Sequence, residues 1–128
     1  MIALLDTSTG LCRLSLVDGE TRHDYEWQAD RTLARRLHAY LRDRLADHEC
    51  DVHDLTGIGV MRGPGSFTGL RIGITLCNTL ADSLSIPIVG ASGEAWRDDA
   101  LQRLARGETD HIVLPEYGGV AHITKPRK

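Results

Sequence analysis

The chain has 128 residues, 41% of them apolar and 26% charged, with a formal net charge of −3. That length fits one domain with a sizeable core, and the composition is that of an ordinary globular protein. The charge balance gives no support to an extended basic surface for nucleic acid; no apolar run reaches membrane-spanning length, and no basic-then-apolar leader is visible at the start.

Met1 to Leu5 is apolar and reads as a buried strand, stopped by the polar turn Asp6-Thr7-Ser8-Thr9-Gly10. From Cys12 to Leu16 apolar and polar residues alternate, which predicts a half-buried second strand over 11–17. Asp18-Gly19 is a two-residue hairpin signal. A third, more polar strand is expected from about Glu20 to Trp27, at an edge or with one face to the core. Asp30 is placed to cap a helix over 31–47, where Leu33, Leu37, Leu41 and Leu45 recur every four residues. Ala34, His38 and Tyr40 widen that stripe. Arg31, Arg35, Arg36, Arg42 and Arg44 fall mostly elsewhere and read as a solvated basic face whose stems cover apolar surface. His48 and His53 are five apart, not the four a helical zinc motif needs, so 48–53 reads as a polar connection and no metal site is expected.

Leu55 to Met61 is the expected fourth strand. The segment Leu70 to Leu84 then reads as a helix, apolar around most of its circumference, with Arg71, Thr75, Asn78, Thr79 and Asp82 as its one polar strip. Such a helix is buried on more than one side. Ile86 to Gly90 is the fifth strand. Ser92 is placed to cap a third helix, anchored by Leu101 and Leu104 and ended by Gly107 near residue 107. His111 to Leu114 reads as a short strand, and 115–128 as a partly ordered tail. Three cysteines make an odd count; Cys12 and Cys77 sit in apolar contexts and read as small hydrophobes in a reduced, cytoplasmic chain. The order of elements is α/β, with a mixed five-stranded sheet.

Between the fourth strand and the second helix lies Arg62-Gly63-Pro64-Gly65-Ser66-Phe67-Thr68-Gly69-Leu70-Arg71-Ile72-Gly73. Ser66 or Thr68 can cap the helix, and its first amides, lacking intrahelical acceptors, are placed to hold an anion. The spacing is not that of a Walker loop, since no Lys follows, nor of a dinucleotide fingerprint. Two readings stand side by side: a ligand loop, or a turn whose glycines let the helix pack close to the sheet. The turn after the first strand and this loop are both expected at strand ends near one edge. Ser66 and Thr68 have no base nearby in sequence, and His111 and His122 lie towards the tail, so no nucleophile is assigned.

Two stretches, 2–9 and 62–73, resemble the bacterial TsaB (YeaZ) family, and element order agrees from residue 1 to about residue 92. The resemblance implies a single lobe of the ribonuclease H-like and actin-like ATPase fold, here over 1–114, with a tail over 115–128 and the family's second lobe missing. It implies a non-catalytic subunit of the machinery that makes N6-threonylcarbamoyladenosine at position 37 of tRNA. The partner implied is the transferase TsaD, with the ATPase TsaE joining, and self-pairing through the same surface. That surface is a helical bundle, here expected to use Leu33, Leu37, Leu41, Gly69, Gly73, Ile74, Cys77 and Ala81; the alternative is that these residues only fill one core. Asp6, with Thr7 and Ser8, matches the first phosphate-loop position by type. The remaining nucleotide-binding segments belong to the second lobe, so no intrinsic cofactor is expected and ATP or ADP enters only with the assembled complex. Contact with tRNA is expected only indirectly. The competing readings are a small ATPase or protease of the same fold, and a homodimer without TsaD contact.

Overall fold

A computed structural model describes residues 1–116 of the chain. Strands β1 (Ile2–Asp6), β2 (Leu11–Asp18) and β3 (Thr21–Gln28) come first, then α1 (Leu33–Ala46), β4 (Gly57–Met61), α2 (Phe67–Leu84), β5 (Ile88–Ala91) and α3 (Trp96–Ala105). They build the expected mixed five-stranded α/β lobe. The strand order is β3-β2-β1-β4-β5. The first three strands run antiparallel as a meander; β4 and β5 join β1 in parallel, each reached through a helix or its flanking loops.

The pleat sorts the strand residues into two faces. On one face Ala3 lies opposite Leu16 and Ile58, Leu5 opposite Leu14 and Val60, and Ile58 opposite Ile88. This face is covered by α1 and α2, and it forms the larger core with Leu33, Leu37, Leu41 and Leu45. The four-residue leucine row of α1 is fully buried, as its period requires; each such side chain contributes about 1.5–3 kcal/mol relative to exposure. On the opposite face Leu4 and Val89 meet Trp96 and Ala100 of α3. The anchors of α3 are therefore Trp96 and Ala100, with Leu101 and Leu104 only half-buried, a correction to the expected pair.

Strand β3 is the edge strand, and it shows one face to the core. Trp27 stacks on Tyr40 at 4.9 Å between ring centroids, and the Tyr25 hydroxyl lies 2.6 Å from His48 Nε2. Its other face is a polar ladder in which the Ser15 hydroxyl donates to Asp24 and Arg13 pairs with Glu26. His53 lies beside Asp51 in a capped 3₁₀ turn, so the two histidines of 48–53 are spent on different neighbours.

Some boundaries move. Asp30 does not cap α1: it stands in a 3₁₀ turn with φ +45°, and its carboxylate accepts from Gln28. Ser92 does not cap α3 either; Ala95 holds that position without a side-chain bond, and the Ser92 hydroxyl points to Glu116. The expected strand at His111 to Leu114 is absent, because the backbone polar groups of this stretch pair with side chains rather than a neighbouring ladder. Val113 N–H donates to Asn78 Oδ1, and Asn78 Nδ2 donates back to Val113 O. The expected tail lies outside the described residues from 117 on.

The helix most constrained by backbone contact is α2. A methyl at Gly73 would fall within 3.0 Å of the Thr7 side chain, and one at Gly69 within 3.0 Å of the Thr7 carbonyl. We predict that Gly73→Ala lowers the unfolding free energy by about 1–3 kcal/mol, the usual cost of forced overpacking. A urea titration followed by circular dichroism reads this directly, and an unchanged midpoint would contradict the close packing.

Candidate functional site

The two stretches singled out in the sequence meet at one end of the sheet. The turn after β1 is held inside itself: Asp6 Oδ1 accepts from Ser8 N–H at 2.8 Å and from the Ser8 hydroxyl at 2.6 Å. Asp6, Thr7 and Ser8 are all buried. The Thr7 hydroxyl donates to Gly69 O at 2.7 Å, and Ser66 N–H donates to Ser8 O at 2.8 Å. A methyl at Gly65 would lie 2.6 Å from Ser8 O. Gly65, Gly69 and Gly73 thus form one seam against residues 7 and 8. This is the close packing of helix on sheet that one reading of the loop expected, while residues 64–68 themselves stay exposed. Ser66 caps α2 by accepting from Gly69 N–H at 3.2 Å, so its oxygen is committed to the helix end.

The other side of the loop is closed by residues 109–116. Glu116 N–H donates to Arg62 O at 2.7 Å, and Arg62 Nε donates to Leu114 O at 3.0 Å. Gly63, at φ +118°, has the Glu116 carbonyl where a side chain would start. Upstream, Arg103 pairs with Glu108 at 2.7 Å and Asp110 at 2.5 Å, and Asp110 Oδ2 accepts from Gly90 N–H at 2.8 Å. The Arg103 guanidinium holds the Asp110 carboxyl below its ordinary value, helped by the Gly90 amide. None of these tethers is visible as a motif; only the fold brings positions 62, 78, 90 and 103 to one strap.

The helical residues expected at a partner surface are placed elsewhere. Leu33, Leu37, Leu41, Ile74, Cys77 and Ala81 are 2–6% exposed and belong to the chain's own core. Gly69 and Gly73 face Thr7. These residues fill the core, as the alternative reading expected, and of them Leu37 also borders the open groove between the helices. Cys12 and Cys77 are pushed up to about 12 by burial, with a smaller contribution from Asp6 on the former and from Cys12 on the latter, so both are neutral thiols packed as hydrophobes.

What α1 and α2 do leave open is a groove of about 560 Å³ between them. Ala34 and His38 form the α1 wall, and Thr68, Arg71, Thr75 and Thr79 stand on α2. Leu37, Ile72 and Leu76 make its floor. Ile72, Leu76, Leu80 and Leu84 remain half-buried although they pack on the core. The excess apolar circumference of α2 is therefore real, and it lies one row outside the residues first expected. The sequence signal was present in Thr68, Ile72, Leu76 and Thr79, at three- and four-residue spacing. His38 and Thr68 share this groove without a hydrogen bond between them.

Fold and site together define an α/β lobe of the ribonuclease H-like and actin-like class, with its glycine loop packed against its own first turn. The family model described as "TsaD: tRNA N6-adenosine threonylcarbamoyltransferase" matches residues 27–93, just over half the chain. The TsaB protein of Escherichia coli, described as a tRNA threonylcarbamoyladenosine biosynthesis protein, is 30% identical over 109 residues, covering 80% of this chain and 47% of its own. TsaB of Bacillus subtilis is 55% identical over 47 residues, covering 35% of this chain and 20% of its own. The structure of YeaZ from Pseudomonas aeruginosa aligns with TM-score 0.68 and 31% identity, over 77% of this chain and 49% of that one. Thermus RuvC, at TM-score 0.52 and 11% identity over 91% of this chain and 83% of that one, shares the fold alone. The chain belongs to the TsaB (YeaZ) family. It spans about half the length of the curated relatives it matches.

The Arg103–Asp110 pair makes a pH prediction. A carboxyl held low in the folded state adds stability that is fully present above its ordinary value of 3.8 and is lost as pH falls through the lower folded value. Arg103→Met should therefore be less stable than the parent at pH 6, with the gap shrinking below pH ~4. Thermal melts of both proteins across pH 3–7 would show a constant gap if the pair contributes nothing.

Proposed function

We propose that the chain is a non-catalytic partner subunit in N6-threonylcarbamoyladenosine synthesis on tRNA, docking on the transferase TsaD through the outer edge of α1 and α2. The observation that carries this is the open groove between the two helices, floored by Leu37, Ile72 and Leu76. A half-buried aliphatic strip beside small wall residues is what a further helix packs on. The names of the relatives support the process, and the resemblance to the TsaB family supports TsaD as the partner. TsaE joins that assembly, tRNA touches this subunit only indirectly, and the setting is the cytoplasm. Among the described residues no helix is long and apolar enough to cross a membrane.

A non-catalytic role is supported by where the reactive groups go. The Ser66 hydroxyl is a helix cap and the Asp6 carboxylate is tied into its own turn. The glycine seam is filled by residues 7 and 8. Nucleotide therefore enters with the assembled complex rather than with this lobe. The enzyme reading has one observation behind it, the description of a Pseudomonas aeruginosa relative, 32% identical, as similar to peptidase YEAZ. The homodimer reading would use the same groove.

Copurification with TsaD of the same organism tests the proposal. Thr75 is exposed on the groove wall, so Thr75→Trp plugs the groove without touching the core. We expect at least about a tenfold loss of TsaD affinity, the size of effect seen when a packed interface centre is disrupted, with an unchanged melting temperature. Full binding by Thr75→Trp removes the groove from the interface. ATP titrated calorimetrically into the chain should give no saturable heat; micromolar binding would favour the enzyme reading.

A further inference from the structure

We infer that the TsaD surface seated between α1 and α2 carries carboxylates flanking its apolar stripe on the side facing α1. This rests on the docking reading above and adds the chemistry of the partner. The rim of the groove is basic although the whole chain carries a net charge of −3. His38 lines the groove, and Arg35 and Arg42, at i−3 and i+4 from it on α1, flank it outside the lining; all three are exposed. Arg71 is exposed on α2 and lines the groove from the other side.

These cations are little used by the chain itself. Among the described residues Arg35 makes no ion pair, and Arg71 has its guanidinium 5.4 Å from the Phe67 ring centre rather than beside a carboxylate. Arg42 is paired with Asp43, its exposed neighbour, at 3.5 Å. On α2 the groove wall carries no acid from Thr68 to Thr79. An incoming surface must match two demands at once. The aliphatic floor needs an apolar stripe, and the rim needs opposite charge on the flank of that stripe. A helix satisfies both with one period, since its apolar row and its flanking row repeat every three to four residues. A nucleic acid fits less well, because the floor is aliphatic where a bound strand would need stacking surfaces and a dense row of cations. Exposed charges of this kind act on encounter and orientation more than on final affinity, and their effect is screened by salt.

Binding of TsaD from the same organism, measured at low and high salt, is the test. Parent affinity should fall as salt rises. The double reversal Arg35→Glu with Arg71→Glu should bind about tenfold more weakly at roughly 50 mM salt and lose its salt dependence by roughly 500 mM. Reversing acidic residues on the TsaD surface should restore binding to the reversed chain. Thr75→Trp should fail at both salt levels. If Thr75→Trp fails while the double reversal matches the parent at every salt concentration, the groove is the interface and the acidic flank is wrong. If Thr75→Trp binds fully, the docking reading itself is wrong and the inference falls with it. If the reversal instead weakens binding of the chain to tRNA and leaves TsaD binding unchanged, the rim serves nucleic acid and the inference is overturned.

Discussion

The contact between the first turn of α2 and the backbone of residues 7 and 8 sets most of the architecture. Thr7 is buried, its hydroxyl is spent on Gly69 O, and glycine at positions 65, 69 and 73 is what allows the approach. A side chain at any of these positions would push the helix outward. Because the helix begins on β1 rather than beside it, its direction across the sheet is decided at this seam. That direction determines which residues of α2 turn into the core and which border the groove. The same contact decides the chemistry of the loop. Ser66 N–H is bonded to the chain's own turn and Gly69 N–H to the Ser66 cap, so this stretch serves as a structural joint between β1 and α2.

A second joint closes the opposite side of the loop. Asn78, Arg62 and Arg103 reach residues 109–116 from three separate elements, and each bonds to backbone or carboxylate. The Asn78 amide pairs with Val113 in both directions, as a neighbouring strand would, and Val113 fills the core beside Gly90. Burial satisfies the segment's polar groups by these side chains instead of by a sixth strand. The glycine loop is thus clamped between the turn after β1 and the strap, and it links both to α2.

The proposed docking face is the one these joints leave open. The inner rows of α1 and α2 are consumed by the sheet and by one another, and the outer rows form a groove with an aliphatic floor and a basic rim. A partner subunit needs such a face to be rigid before it binds, and a helix pair anchored at its base on β1 provides that. The Ser66 hydroxyl and the Asp6 carboxylate, which suggested chemistry in the sequence, are engaged in a helix cap and in the turn after β1.

Element types, their order and the mixed sheet were legible in the sequence, because each rests on local periodicity: the alternation from Cys12 to Leu16, the four-residue leucines of α1, the hairpin at Asp18-Gly19. The two family stretches were legible as motifs, and so was the surplus apolar surface of α2. Which row of α2 faces outward was not, since a helix apolar on most sides gives no phase; only the seat of Gly69 and Gly73 on Thr7 fixes its rotation. Capping at Asp30 and Ser92 failed for a related reason: both side chains had better partners, Gln28 and Glu116, supplied by contacts local spacing does not encode. The strap likewise depends on bonds from residues 62, 78 and 103 to a segment far along the chain. Local sequence determined what each piece is, and long-range packing decided which of its faces remained free to bind.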